Sequence, residues 1–184
     1  MIIRSLFLSL IAASAIASSA LADTTIALIN TQEIMHESTA AQSIKEQFDA
    51  KQKSFQSEMT KKEESLQKED QDLGKERAVL SPEAFDKKVQ EFKNKASAAQ
   101  REAKEKNAEL EKALSAAFGD IQKVLFDIVS DIAKEKGYSI VMPTGQLIYA
   151  DPKLDITKDV LAKLNSKLPK VTMKFKASTQ DKDE

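Results

Sequence analysis

The apolar residues of this chain change rhythm along its length, and each change marks an element. Between residues 85 and 117 they fall at Phe85, Val89, Phe92, Ala96, Ala99, Ala103, Leu110, Ala113 and Ala117, in alternating steps of four and three. Only Lys106 takes a slot that this rhythm reserves for an apolar side chain. Such a stripe predicts a long helix with a narrow seam that a partner helix must cover. More than half of its members are alanine, so the seam buries little area per turn.

The partner precedes it. Residues 24–30 form a short β-prone run, after which Asn30 or Thr31 can cap a helix starting near Gln32. Neither Gly nor Pro interrupts the chain from there to Gly74, and apolar residues recur at Ile34, Ala41, Ile44, Phe48, Phe55, Met59, Leu66 and Leu73. Past Met59 this leaves one large apolar group per seven residues among Lys, Glu, Gln and Asp, the composition of a solvent-bathed arm with one sticky edge. Ser81-Pro82-Glu83 then restarts a helix, with Ser81 as N-cap and Pro82 in the first turn. The prediction is a helical hairpin over residues 32–117, its tip near 74–82, with arms of roughly 70 to 80 Å.

From Phe118 the rhythm thickens: Phe118, Ile121, Val124, Leu125, Phe126, Ile128, Val129, Ile132 and Ala133 cover more than half the helix circumference. A hairpin offers this segment one neighbour, so further cover must come from a sheet, from other subunits or from both. Lys134, Lys136 and Gly137 close the helix as terminal cations and a C′ glycine do. Strands are predicted over 138–142 and 146–149, joined by Pro143-Thr144-Gly145, and both can meet the first strand because the hairpin brings the chain back. Asp155 or Thr157 caps a last helix carrying Val160, Leu161 and Leu164. Val171, Met173 and Phe175 alternate as an edge strand would, yet the tail over 166–184 is expected to be disordered. The fold class expected is therefore mostly α with a small β body, residues 23–31 and 118–165, from which the hairpin projects.

The first 22 residues place this molecule across a membrane. A basic start at Arg4, an apolar run over 6–17 and Ala20-Leu21-Ala22 before Asp23 form a secretory signal peptide with cleavage between Ala22 and Asp23. The apolar run is shorter than the ~20 residues a membrane span needs, so no stable insertion of the mature chain is expected. Of the 28 Lys and Arg, Arg4 leaves with the signal, giving 27 against 29 acidic residues. So balanced a charge draws neither nucleic acid nor anionic membrane. There is no cysteine, one histidine (His36) and four scattered glycines, which leaves no thiol chemistry, no zinc set and no phosphate-cradling loop. No catalytic residue, metal or cofactor is expected.

At Gly137-Tyr138-Ser139-Ile140-Val141, through Leu147-Ile148-Tyr149-Ala150-Asp151-Pro152 to Leu154-Asp155-Ile156-Thr157 and Val160-Leu161, the chain resembles the Skp/OmpH family of periplasmic chaperones. The opening strand 26–30 looks like the family's start after its signal peptide. The resemblance implies a homotrimer whose small sheets form a common body and whose hairpins surround a cavity that holds unfolded outer-membrane β-barrel proteins without ATP. It differs from well-studied members in charge, since they are strongly basic.

Two sets of residues carry this reading. Phe48, Phe55, Met59, Leu66, Phe85, Val89 and Phe92 either pack the arms together or face the client. Burying one such side chain against a client is worth roughly 1.5–3 kcal/mol. Ile26, Leu28, Val124, Leu125, Ile128, Ile132 and Val141 are the oligomerisation candidates, and an Asp at position 128 or 132 is expected to dissociate the assembly. The alternative is a structural or adhesive coiled-coil protein of the cell envelope, against which the thin alanine seam argues.

Overall fold

The fold is that of a computed structural model in which residues 24–176 are described. The signal peptide, its cleavage point between Ala22 and Asp23, and the tail over 177–184 lie outside the described residues. Strand β1 (Ile26–Ile29) leads into α1 (Thr31–Glu37), which is capped by the Asn30 carboxamide oxygen accepting from the Glu33 amide at 3.1 Å. Helix α2 (Thr39–Glu76) and helix α3 (Pro82–Lys136) form the hairpin, and β2 (Ile140–Pro143) and α4 (Thr157–Lys167) follow. At 38 and 55 residues, the two long helices reach about 57 and 83 Å at 1.5 Å per residue.

The first arm does not run unbroken from Gln32. Ser38 leaves the helix at φ −64°, ψ 140°, and its buried hydroxyl oxygen accepts from the Ala41 amide at 3.2 Å to start α2. The neighbouring Thr39 amide is satisfied by the side-chain oxygen of Asn165, on the last turn of α4, at 2.9 Å. A serine with a distant asparagine partner leaves no local breaker in the sequence, which is why the kink is invisible there. At the far end α3 begins as predicted, with Ser81 accepting from Ala84 and Pro82 in the first turn, and ends on Gly137 at φ 71°, ψ 28°. That left-handed conformation is one glycine adopts without strain.

The sheet is smaller than expected. β1 and β2 pair in parallel, Ile26 with Ile140 through Ile29 with Pro143. On the other side of β1 the chain adds only a bridge between Leu28 and Asp155, with Ile156 donating to the Leu28 carbonyl at 2.9 Å. The third strand predicted over 146–149 does not form: Thr144–Gln146 is a 3-10 turn, and Ile148 and Tyr149 stand in solvent. Among the described residues, no strand borders β2 on its outer edge.

The body core gathers Ala27 and Ile29 of β1, Ile34 of α1, Ala40, Ala41 and Ile44 of α2, Ile121, Leu125, Ile128 and Ile132 of α3, and Ile156, Val160 and Leu164 around α4. Here the α3 stripe takes three successive steps of four, Ala113–Ala117–Ile121–Leu125, which locally unwinds a seven-residue seam and turns its apolar side toward the body. Exposed ion pairs flank the α3–α4 contact, Lys136–Asp159 and Lys163–Glu135 at 2.8 Å and Lys167–Asp131 at 3.1 Å.

Two expectations change. Leu28, Leu125, Ile128 and Ile132 are buried inside their own protomer, so their cover does not require another chain. The chain past α4 is also ordered as far as it is described, because Val171 and Met173 are buried against the base of the arms. Truncation of Ile132 therefore strikes the protomer itself. Ile132→Ala should lower unfolding stability by about 2–5 kcal/mol, read as a shifted urea midpoint with an unchanged slope.

Candidate functional site

The arms are set in register by charge. Four ion pairs cross between α2 and α3: Glu76–Lys88, Glu69–Lys95, Lys62–Glu102 and Glu58–Lys106. Their sequence separations of 12, 26, 40 and 48 are all centred on residue 82. The first three recur every seven residues on each helix, the spacing of flanking charges beside a coiled-coil seam. Each exposed pair contributes little alone, but a slip along the seam would break all four together.

Between these pairs run the seam residues. Phe55 is 8% exposed, and Met59, Leu66, Phe85, Val89 and Phe92 are all half-buried, as are Ala96, Ala99 and Ala103. Of the seven residues offered as client contacts, Phe55 lies wholly in the arm interface. Five others are divided between that interface and solvent. Phe48 lies further down, at the base.

Lys106, the intruder in the apolar stripe, has its own arrangement. Its ammonium sits 4.7 Å from the centroid of the Phe55 ring, and Lys51 approaches the same ring at 4.8 Å. It is paired with Glu58 on the opposite arm and with Glu102 one turn back at 3.6 Å. Burial pushes the Lys106 ammonium down, but the hydrogen bond and charge of Glu58, with those of Glu102, outweigh it and raise it overall. The hydrogen bond from Lys106 holds the Glu58 carboxyl below its ordinary value, and that from Lys62 does the same for Glu102, each against a smaller burial effect. A cation in the seam is thus neutralised by two carboxylates and seated on an aromatic face.

Other surfaces remain open. A groove of about 510 Å³ runs along the base of the arms, lined by Met35, His36, Ile44, Phe48, Leu114 and Phe118 among others. His36 is exposed in the last turn of α1. On the body, Phe126 of α3 is 74% exposed, Ile140 of β2 is 43% exposed, and Tyr149 is 85% exposed beside a fully exposed Ile148. Ile26 and Val141, on the paired strands, and Val124 are half-buried. Among the described residues, no cluster of three or more His, Asp or Glu could hold a metal, and no helix is long and apolar enough to cross a membrane. Ile148 and Tyr149, assigned to a strand from the sequence, and Phe126, assigned to a core, are instead exposed.

The charge cluster gives the arms a pH signature. Because Glu58 and Glu102 titrate lower when folded, their stabilisation is present above the unfolded glutamate value of about 4.3 and is lost as pH falls through the folded values. Acidification from pH 6 to 3 should therefore lower the arm melting transition followed by circular dichroism. Lys106→Leu removes the hydrogen bond that holds Glu58 low and should flatten the acid limb, while the pH 7 transition shifts little because Glu58 and Glu102 keep access to solvent.

Residues 25–164 match the family described as "Outer membrane protein (OmpH-like)". No curated protein matches the chain. Among solved structures, the fold is similar to that of an OmpH-like protein from Caulobacter crescentus CB15, described as a candidate outer membrane chaperone. The TM-score is 0.77 at 17% identity, over 84% of this chain and 92% of the other. With the family match spanning most of its length, from β1 through the arms to α4, the chain belongs to the OmpH-like family.

Proposed function

We propose that this protein is an ATP-independent holdase of the periplasm, which keeps unfolded outer-membrane β-barrel proteins from aggregating while it works as a homotrimer. The observation that carries this reading is a helical hairpin of OmpH-like type, thinly seamed along its arms, standing on a body whose own apolar surface is incompletely covered. The arms give reach and many weak contacts, with no deep site. Their half-buried seam residues Met59, Leu66, Phe85, Val89 and Phe92, together with Phe48 in the basal groove, offer partial apolar surface to a client. Contacts of this kind, exchanged among many segments of one unfolded chain, yield avidity without a fixed pose.

The body supplies the reason for self-association. Among the described residues β2 has a free edge, and an unpaired edge strand is a template for another chain. Ile140 on β2, Ile148 and Tyr149 after it and Phe126 on α3 expose apolar area that a monomer would leave wet, while Ile26, Val124 and Val141 are half-buried in the same body. Self-association through these groups takes the place of the contact expected through Leu28, Leu125, Ile128 and Ile132, which are buried within the protomer. The signal peptide read from the sequence delivers the chain to the compartment that unfolded outer-membrane proteins cross.

Two measurements test this. Dilution of a urea-unfolded β-barrel protein into equimolar trimer should suppress light scattering; undiminished scattering refutes the holdase. Mass measurement of the purified protein should return three protomers, and Phe126→Asp with Tyr149→Ser should shift it toward monomer, weakening association about tenfold or more, with an unchanged circular dichroism spectrum. A rod-like dimer would favour the structural coiled-coil alternative instead.

A further inference from the structure

The segment after α4 lies along α2 in a way that resembles a bound peptide. Ser43, Gln47 and Lys51 follow one another at four-residue spacing on one face of α2, and each meets an alternate residue of the tail. The Val171 amide donates to the Ser43 hydroxyl oxygen at 3.1 Å, and that hydroxyl is also 2.8 Å from the Ala40 carbonyl and 3.3 Å from the Val171 carbonyl. Gln47 uses both ends of its carboxamide. Its nitrogen donates to the Val171 carbonyl at 2.7 Å and to the Ser43 carbonyl at 2.8 Å, and its oxygen accepts from the Met173 amide at 3.0 Å. The Lys51 ammonium stands 5.2 Å from the centroid of the Phe175 ring. Further on, the Lys176 amide donates to the Glu109 carboxylate.

The match of spacings has a simple origin. Four residues of helix rise about 6.0 Å, and two residues of extended chain rise about 6.6 Å. A row of polar side chains one turn apart on a helix can therefore read the backbone of every second residue of an extended chain. Side chains at those alternate positions then point to one side, and Val171 and Met173 are buried there. The hydrogen bonds at Ser43 and Gln47 engage only main-chain groups, so they carry no sequence preference. The selection comes from the apolar alternation. The intervening Thr172 and Lys174 are exposed.

We propose that this track on α2 is a client-binding site for extended segments with apolar residues at alternate positions, and that residues 170–176 occupy it in place of a client until one arrives. The alternation apolar-out, polar-in is that of membrane-spanning β-strands, so the proposal rests on the holdase reading and specifies which client segments this site takes. A tethered occupant acts at millimolar effective concentration. Only a chain already held nearby at several points competes well, which sets an order of events: capture by the arms first, displacement of the tail second.

The test uses the full chain and a synthetic peptide of alternating pattern, with a scrambled, non-alternating peptide of the same composition as control. Val171→Asp with Met173→Asp should free the track, and the alternating peptide should then bind about tenfold or more tighter than to wild type, as expected when an occluded site becomes competent. Adding Gln47→Ala should abolish the gain, and the scrambled peptide should show none. No gain, or an equal gain for both peptides, overturns the proposal. Should the Asp variant lose its cooperative melt, hydrogen exchange on wild type decides. Excess alternating peptide should speed exchange at the Val171 and Met173 amides and leave Ile128 unchanged; unaltered exchange at both tail amides refutes it. Peptide binding and barrel aggregation are read separately, so the loss of one does not mask the other.

Discussion

The parallel pairing of β1 with β2 is the constraint on which the rest of this molecule depends. Parallel neighbours cannot be joined by a tight turn and require a crossover. Here the crossover is the whole hairpin, and the Thr25 hydroxyl meets the Gly137 carbonyl across 112 residues of sequence. Closing so long a loop costs only slightly more than closing a short one, since the entropic term grows with the logarithm of length. What the closure does need is that α2 and α3 end where they began. The ion pairs centred on residue 82 meet that need by fixing how far the returning helix slides along the outgoing one. Register in the arms is therefore register in the sheet.

This makes the composition of the arms intelligible. A seam of Leu and Ile would hold the helices more tightly, but it would also remove from solvent every apolar group the arms possess. Alanine at positions 96, 99, 103, 113 and 117 brings the backbones together with little burial, and the larger residues Met59, Leu66, Phe85, Val89 and Phe92 stay half-covered. Specificity of alignment then falls to charges, which lie outside the seam and compete with no apolar contact. Lys106 extends the same logic inward. Its place in the stripe ties Glu58, Glu102 and the Phe55 ring into one cluster, so the alignment is strictest about where the arm approaches the body.

Much of this was legible in the sequence wherever the signal was periodic and local. The 85–117 stripe maps onto the covered face of α3 residue for residue, and the Ser81-Pro82 start and Gly137 stop hold because each acts through its immediate neighbours. Reading failed where a distant residue decided a local conformation. The break at Ser38 depends on Asn165, and the order of the tail depends on Ser43 and Gln47, neither of which any pattern near residue 171 could reveal. The strand expected over 146–149 failed for a related reason. Leu147-Ile148-Tyr149 has the composition of a strand, but the 3-10 turn over Thr144–Gln146 carries it away from β2 into solvent, and composition describes a preference for a partner without supplying one.

The same distinction separates the assembly candidates. Ile128 and Ile132 lie on a helix apolar around more than half its circumference, and they are covered within the protomer as part of one core with residues of α1, α2 and α4. Once that demand is met internally, the apolar residues left exposed on the described body include Phe126 on α3, Ile140 on β2, and Ile148 and Tyr149 on the segment beyond it. Apolarity in the sequence marks a need for burial, and only the fold divides that need between self and partner. For this chain the division falls so that the protomer can complete its own core while its sheet remains open-ended. That is the condition under which assembly adds a surface without having to build the fold.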